Sequence, residues 1–291
     1  MSYEQAGKIA GESLEYGRKL VREGEKLREI ADKVEEKIKS LNGGIAFPVQ
    51  ISINNIAAHY CPDINDDTEI KKGDLVKLDF GAHINGEIGD CACSINVNGN
   101  HEELIKASSE ALNEAVKKMM PGIELREIGR AIEEIIKSYG FNPIRNLSGH
   151  EIKEYELHSG AIVPNYDNND KTKLKEGQVF AVEPFATTGE GFVKDGKLSG
   201  IYNLVMPKNV RSGREILEYI MKNYNTLPFA RKWLLANFSE FKLNFGLRML
   251  ERENIIQQYH QLIERSNGIV SQAEHTVKVA DKPIVLTILN N

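Results

Sequence analysis

The stretch that most constrains this chain is DLVKLDFGAHINGEIGDCACSINV, residues 74–97. Two β-rich runs flank Asn85-Gly86. Asn-Gly is the favoured centre of a two-residue hairpin turn, because both residues tolerate positive φ. A turn there places Asp79 opposite Ala92, with Asp90 two residues from Ala92 on the same face. The two carboxylates become diagonal neighbours, with Cα atoms roughly 7–8 Å apart. Leu78, Phe80, Cys91 and Cys93 fall on the other face, so the Cys-x-Cys pair reads as core rather than as metal ligands.

A short internal repeat extends this pattern. Residues 71–79 read KKGDLVKLD and residues 175–183 read KEGQVFAVE. The match puts Asp79 and Glu183 at corresponding points of two strands. A duplicated αβ unit with pseudo-twofold symmetry would bring both acids to a shared centre.

The rest of the chain supplies cover for such a sheet. Residues 3–39 predict one long helix or a broken pair, ended by Gly43-Gly44. Residues 45–60 predict strand and loop, and 101–119 and 124–139 two helices separated by Pro121-Gly122. Residues 201–265 predict a helical insertion, with ten Lys/Arg against six Glu. The closing segment GIVSQAEHTVKVADKPIVLTIL alternates like a strand and is expected to rejoin the sheet.

Composition excludes several classes. The 291 residues are 41% hydrophobic and 27% charged, enough for a sizeable core in one large domain or two small ones. A net charge of -5 argues against a dedicated nucleic-acid binder. No apolar run is long enough to span a membrane, and the N-terminus lacks the apolar core of a signal peptide. Three cysteines without a CxxC pair suit a reducing cytoplasmic compartment without structural disulfides.

The chemistry concentrates in Asp79, Asp90, His150, Glu183 and Glu274. Glu183 lies inside the apolar run QVFAVEPF, and Glu274 inside IVSQAEHTVKV. A carboxylate buried there needs a partner, since leaving it unpaired is costly. An oxygen-rich set with one imidazole suits Mn, Fe, Co or Zn, and two ions would let carboxylates bridge and polarise a water. Each residue alone has an ordinary explanation: Asp90 as a turn residue, Glu274 as an exposed strand residue, His59 and His158 as packing residues. His83, His101, His260 and His275 carry no context and read as structural.

Together these residues carry a resemblance. The segments GIAFPVQISINNIAAHYCP (44–62), VKLDFGAHINGEIGDCA (76–92), SGHEIKEYELHSG (148–160), GQVFAVEPFATTGEG (177–191) and QAEHTV (272–277) resemble those of type 2 methionine aminopeptidases, in a short archaeal-like form. The resemblance implies an α/β (α+β) pita-bread fold: a curved, mainly antiparallel sheet in two pseudo-symmetric halves flanked by helices. It implies a catalytic unit of residues 1–200 and 259–291 and a helical insertion of 201–258. It implies two divalent metal ions, drawn from Co, Mn, Fe or Zn, on Asp79, Asp90, His150, Glu183 and Glu274. Glu183 would also move the proton of the attacking water, His158 would stabilise the oxyanion, and His59 would contact the scissile nitrogen. Phe47 and Tyr259 would line the methionine slot, while Ile201 stands where eukaryotic members have a histidine. The implied substrate is the N-terminal methionine of nascent peptides with a small second residue, handled by a cytoplasmic monomer without specific nucleic acid or membrane partners.

Two other readings belong to different substrate and function classes. A prolidase or Xaa-Pro aminopeptidase would share the five ligands but usually carries an extra N-terminal domain, for which residues 1–45 are too short. A non-catalytic relative binding RNA or protein would have lost ligands, whereas all five are present. The positive surplus in 201–265 fits a solvated helical surface, or a transient contact with the ribosome.

Overall fold

A computed structural model describes residues 2–288. The ends of the expected catalytic range, Met1 and residues 289–291, lie outside the described residues. Helices α1 (Ser2–Leu20) and α2 (Leu27–Ser40) come first, so the N-terminal helical pattern is a broken pair. Strands β1 (Gly44–Ile53) and β2 (Ile56–Ala58) follow, then the long hairpin of β3 (Leu75–Ile84) and β4 (Glu87–Asn96). Its register pairs Asp79 with Ala92 and Ile84 with Glu87, as the Asn85-Gly86 turn requires. Both turn residues have positive φ, 50° and 88°.

The second half repeats the plan. Helices α3 (Glu102–Lys117) and α4 (Leu125–Ser138) precede β5 (Asn142–Pro143), β6 (Ser148–Lys153), β7 (Glu156–Pro164), β8 (Val179–Val182) and β9 (Phe185–Thr187). After β10 (Val193–Leu204) come α5 (Arg214–Asn223), β11 (Phe229–Ala230), α6 (Arg231–Leu234) and α7 (Glu240–Arg252). The chain closes with β12 (Ile256–Glu264), β13 (Val270–Gln272), β14 (Glu274–Lys278) and β15 (Ile284–Val285).

The main sheet runs β1-β3-β4-β14-β8-β6-β7, with β15 paired to β14. Its neighbours are antiparallel throughout. Strands β4 and β14 sit at the centre, so β3 matches β8 and β1 matches β6 about a pseudo-twofold axis. Residues of α1 and α2 pack into one apolar cluster with β1, β3 and β4, and residues of α3 and α4 into another with β8 and β14.

Local hydrogen bonds repeat with the halves. Gly73 N donates to Val97 O at 2.6 Å, and Gly177 N to Val279 O at 2.9 Å. Asp74 Oδ2 accepts from Lys71 N at 2.7 Å, and Gln178 Oε1 accepts from Lys175 N at 2.7 Å. Both glycines have positive φ, 93° and 85°, which a Cβ would disfavour. Helices α2 (LREIADKVEEKIKS) and α4 (LREIGRAIEEIIKS) agree at nine of 14 positions. The duplication is therefore much longer than the repeat at 71–79 and 175–183.

The expectation of helix through 265 needs correction. Helix α7 ends at Arg252, and Asn254 turns the chain in a left-handed conformation with φ of 54°. Residues 256–264 then form β12, held between β10 and β2. Ile255, Ile256, Tyr259, Leu262 and Ile263 have helix-compatible spacing, but two partner strands satisfy the backbone instead. Residues 201–204 likewise belong to β10, so the helices of this region lie between two strands of a β11-β10-β12-β2 sheet. Among the described residues, no helix is long and apolar enough to cross a membrane.

Candidate metal centre

Strand alternation builds the centre as two rows on one face of the sheet. In the first, Asp79 faces Ala92, and Ala92 faces Glu274. Glu183 follows Val182, which pairs with His275, so it extends this row beyond the end of β8. In the second, Gly81 faces Asp90, Thr276 faces Ala181, and Ala181 faces His150. The Thr276 hydroxyl joins Asp90 to this row: it accepts from Asp90 N at 2.7 Å and donates to Asp90 O at 2.8 Å. Small residues at 81, 92, 181 and 276 leave space between the acids. At Gly81 a Cβ would come within 2.7 Å of the Phe47 ring, so glycine lets that ring lie across the strand.

Asp90, His150 and Glu274 each offer a donor atom, and these atoms lie within 4.8 Å of one another. His150 Nε2 is 3.6 Å from both Asp90 Oδ2 and Glu183 Oε1. Gln272 Nε2 donates to Asp79 Oδ2 and to Glu274 Oε2, each at 3.2 Å. Asp90 Oδ1 is buried without a hydrogen-bond partner.

Four carboxylates this close cannot all ionise without help. Burial pushes Asp79 up to about 7, against a hydrogen bond from Gln272 that lowers it. Burial also raises Asp90, reinforced by the charge of Asp79. Glu183 is raised by burial, then by Asp79 and Asp90, and Glu274 by burial, then by Asp90, Glu183 and Asp79. His150 is held neutral by burial and by the neighbouring His158. Among the described residues, no Lys or Arg forms an ion pair with any of the four acids. A clustered acid set with an orphaned oxygen, no protein cation and an imidazole nitrogen among the carboxylates fits divalent cations.

Two more histidines complete the surroundings. His59 has φ of 66°, and its backbone N–H donates to Gln50 Oε1 at 2.8 Å. Its Nδ1 lies 3.0 Å from the His260 carbonyl, which accepts only, so Nδ1 carries the proton. Burial lowers the His59 pKa, leaving Nε2 with a free lone pair. The His158 ring stands 4.3 Å from that of His150, and burial followed by repulsion from His59 lowers it to about 4.

All nine residues singled out from sequence line one cavity of about 270 Å³. Gln50, Asn146, Leu157, Phe185, Pro228 and Leu262 line it too and were not singled out. Gln272, which bridges two of the acids, stands two residues before Glu274, and period-two spacing was the available signal for it. Gln50 pairs with Asp79 across β1 and β3, a contact between strands far apart in sequence.

Comparison with known proteins agrees with this geometry. Residues 2–217 match metallopeptidase family M24. A methionine aminopeptidase of Methanocaldococcus jannaschii is 45% identical over 285 residues, covering 97% of this chain and 96% of that protein. One from Pyrococcus abyssi is 44% identical, covering 97% of each chain. Among solved structures, a thermophilic Arx1 superposes with a TM-score of 0.85 at 19% identity, covering 98% of this chain and 89% of that one. A methionine aminopeptidase from Thermotoga maritima gives 0.73 at 23% identity, covering 98% and 95%. These two likenesses establish the fold, and the archaeal relatives establish the family. The chain belongs to metallopeptidase family M24 and, within it, to the methionine aminopeptidases.

Proposed function

We propose that this chain removes the initiator methionine from nascent proteins as a type 2 enzyme, with Asp79, Asp90, His150, Glu183 and Glu274 holding two divalent cations. The carrying observation is the pair of residue rows, which gathers four acids and an imidazole without a protein cation. Bound by these five residues, Co, Mn, Fe or Zn would supply Lewis acidity, which would make a water easier to deprotonate and would suit the free α-amino group of the substrate.

The remaining steps belong to the side chains. Glu183, whose side chain is 14% exposed, takes the proton of the attacking water and returns it to the leaving amine. His158 is neutral at physiological pH and donates to the carbonyl oxygen as charge develops there. His59, with Nδ1–H committed to His260, offers Nε2 to the scissile N–H. Phe47, Tyr259, Ile201, Pro228 and Leu262 contribute apolar lining to the cavity, which suits an unbranched thioether side chain. A small second residue is the expected preference.

We assign residues 1–200 and 259–291 to the catalytic unit and 201–258 to the insertion. A cytoplasmic monomer completes the proposal, its basic insertion being a solvated helical surface, with a transient ribosome contact as the alternative. The test compares Met-Ala-Ser with Ala-Pro peptides on manganese-loaded enzyme. Release of methionine from the first and no cleavage of the second is expected; cleavage of Ala-Pro with Met-Ala-Ser intact overturns the reading.

A further inference from the structure

Away from the acid rows, one buried carboxylate reaches from the helical cover to the insertion. Glu35 on α2 is only 5% exposed. Its Oε2 accepts the indole N–H of Trp233 at 2.8 Å. Its Oε1 lies 3.2 Å from Lys232 Nζ, which also reaches Asp32 Oδ1 at 2.9 Å. Lys232 and Trp233 are consecutive residues of α6, a helix of four residues. A helix that short does not hold its own position, so its anchors set where it sits.

The placement of α6 fixes part of the cavity wall. Strand β11 runs directly into α6 and pairs Ala230 with Ile201 on β10. Pro228, immediately before β11, and Ile201 both line the cavity. Trp233 packs in one apolar group with Cys61, Ile201, Ala230 and Tyr259. Tyr259 lines the cavity as well, and its ring meets His59 edge-on at 5.2 Å.

We infer that Glu35 is a positioning residue for the side-chain slot: by holding Lys232 and Trp233 it fixes the wall formed by Ile201, Pro228 and Tyr259, and so governs which first residue fits. The inference rests on the reading of this slot as the one that takes methionine. None of the acids of the two rows contacts Glu35, so its influence falls on substrate fit rather than on the metal centre. The carboxylate's burial has a second consequence. Removing it strands the indole donor of Trp233 and leaves Lys232 with Asp32 as its remaining acidic partner.

The test measures KM and kcat with Met-Ala-Ser and Leu-Ala-Ser peptides on manganese-loaded wild type, Glu35→Ala, Glu35→Gln and Trp233→Phe. Glu35→Ala should raise KM for the methionine peptide about tenfold, the scale of a misfitted apolar pocket. Its kcat and bound manganese should stay at the wild-type level, and its preference for methionine over leucine should fall. Glu35→Gln keeps an acceptor for the indole and should restore KM. Trp233→Phe keeps an aromatic ring without the donor and should follow Glu35→Ala.

Wild-type KM and selectivity in Glu35→Ala overturn the inference, even if that variant melts at a lower temperature. Equal impairment of Glu35→Ala and Glu35→Gln also overturns it. If Glu35→Ala does not fold, Trp233→Phe decides the matter, and an unchanged KM there is a negative result. A wild type that releases no methionine overturns the functional reading and the inference with it. An active wild type with indifferent variants overturns the inference alone.

Discussion

His59 occupies a left-handed backbone conformation, with φ of 66°, that a non-glycine residue adopts at a cost. The Gln50 side chain and the His260 carbonyl hold it there. His59→Ala should bind metal like the wild type and lose roughly 10²–10⁴-fold in kcat, the usual scale for a proton-handling side chain. Metal analysis beside steady-state kinetics checks both halves, and full turnover would remove His59 from the mechanism. Lys77 is fully buried, and its Nζ donates to the carbonyls of Asn54 and Val270 at 3.0 and 2.9 Å. Burial pushes its pKa down to about 7, and even the neutral amine keeps two N–H groups for these two acceptors. The Asn54 carbonyl also accepts Val270 N at 3.1 Å, so Lys77→Met should cost about 1–3 kcal/mol for the Val270 carbonyl it strands. Urea unfolding measures this, and a variant as stable as wild type would contradict it.

At the scale of elements, helix α1 lies directly on the hairpin because two glycines meet. A Cβ on Gly89 of β4 would fall 2.6 Å from Gly7 Cα and N on α1. Backbone cannot give way as a side-chain tip does, so Gly89→Ala should destabilise by about 1–3 kcal/mol. Loss of less than a few tenths in denaturant unfolding would mean that the helix shifts freely. The hairpin was legible in sequence because Asn85-Gly86 fixes its register, and register fixes which side chains share a face. The placement of Glu274 beside Ala92 was not, since β14 joins β4 from almost two hundred residues away and no local signal records that pairing. Strand β12 has apolar spacing that suits both helix and strand periods, and only its partners decide between them. The resemblance to known aminopeptidases, rather than local pattern, brought His150 and Glu274 into the candidate site. Neither route pointed to Gln272 or to the Glu35 anchor, whose partners are visible only in three dimensions.

For the whole molecule, the pseudo-twofold arrangement concentrates acids at the sheet centre and leaves the fold to tolerate them. Without cations, these carboxylates hold protons more tightly folded than unfolded, Asp79 up to about 7. A raised folded pKa favours the fold fully below the ordinary carboxylate range and progressively less as pH rises through the folded value. In chelator-treated protein the contribution of Asp79 should therefore fall between about pH 4 and pH 7, against an opposite contribution from His59, His150 and His158, whose lowered values favour the fold as pH rises. Added manganese should raise stability at neutral pH, since it binds the ionised acids of the folded state. A thermal midpoint at pH 7 indifferent to both chelator and manganese would contradict this.

The most direct test of the central claim is methionine release from Met-Ala-Ser by enzyme stripped of metal and then titrated with manganese. Stripped enzyme should be inactive, activity should return in proportion to bound metal, and Glu274→Ala should recover neither. Full methionine release by enzyme that elemental analysis finds free of metal would contradict the account.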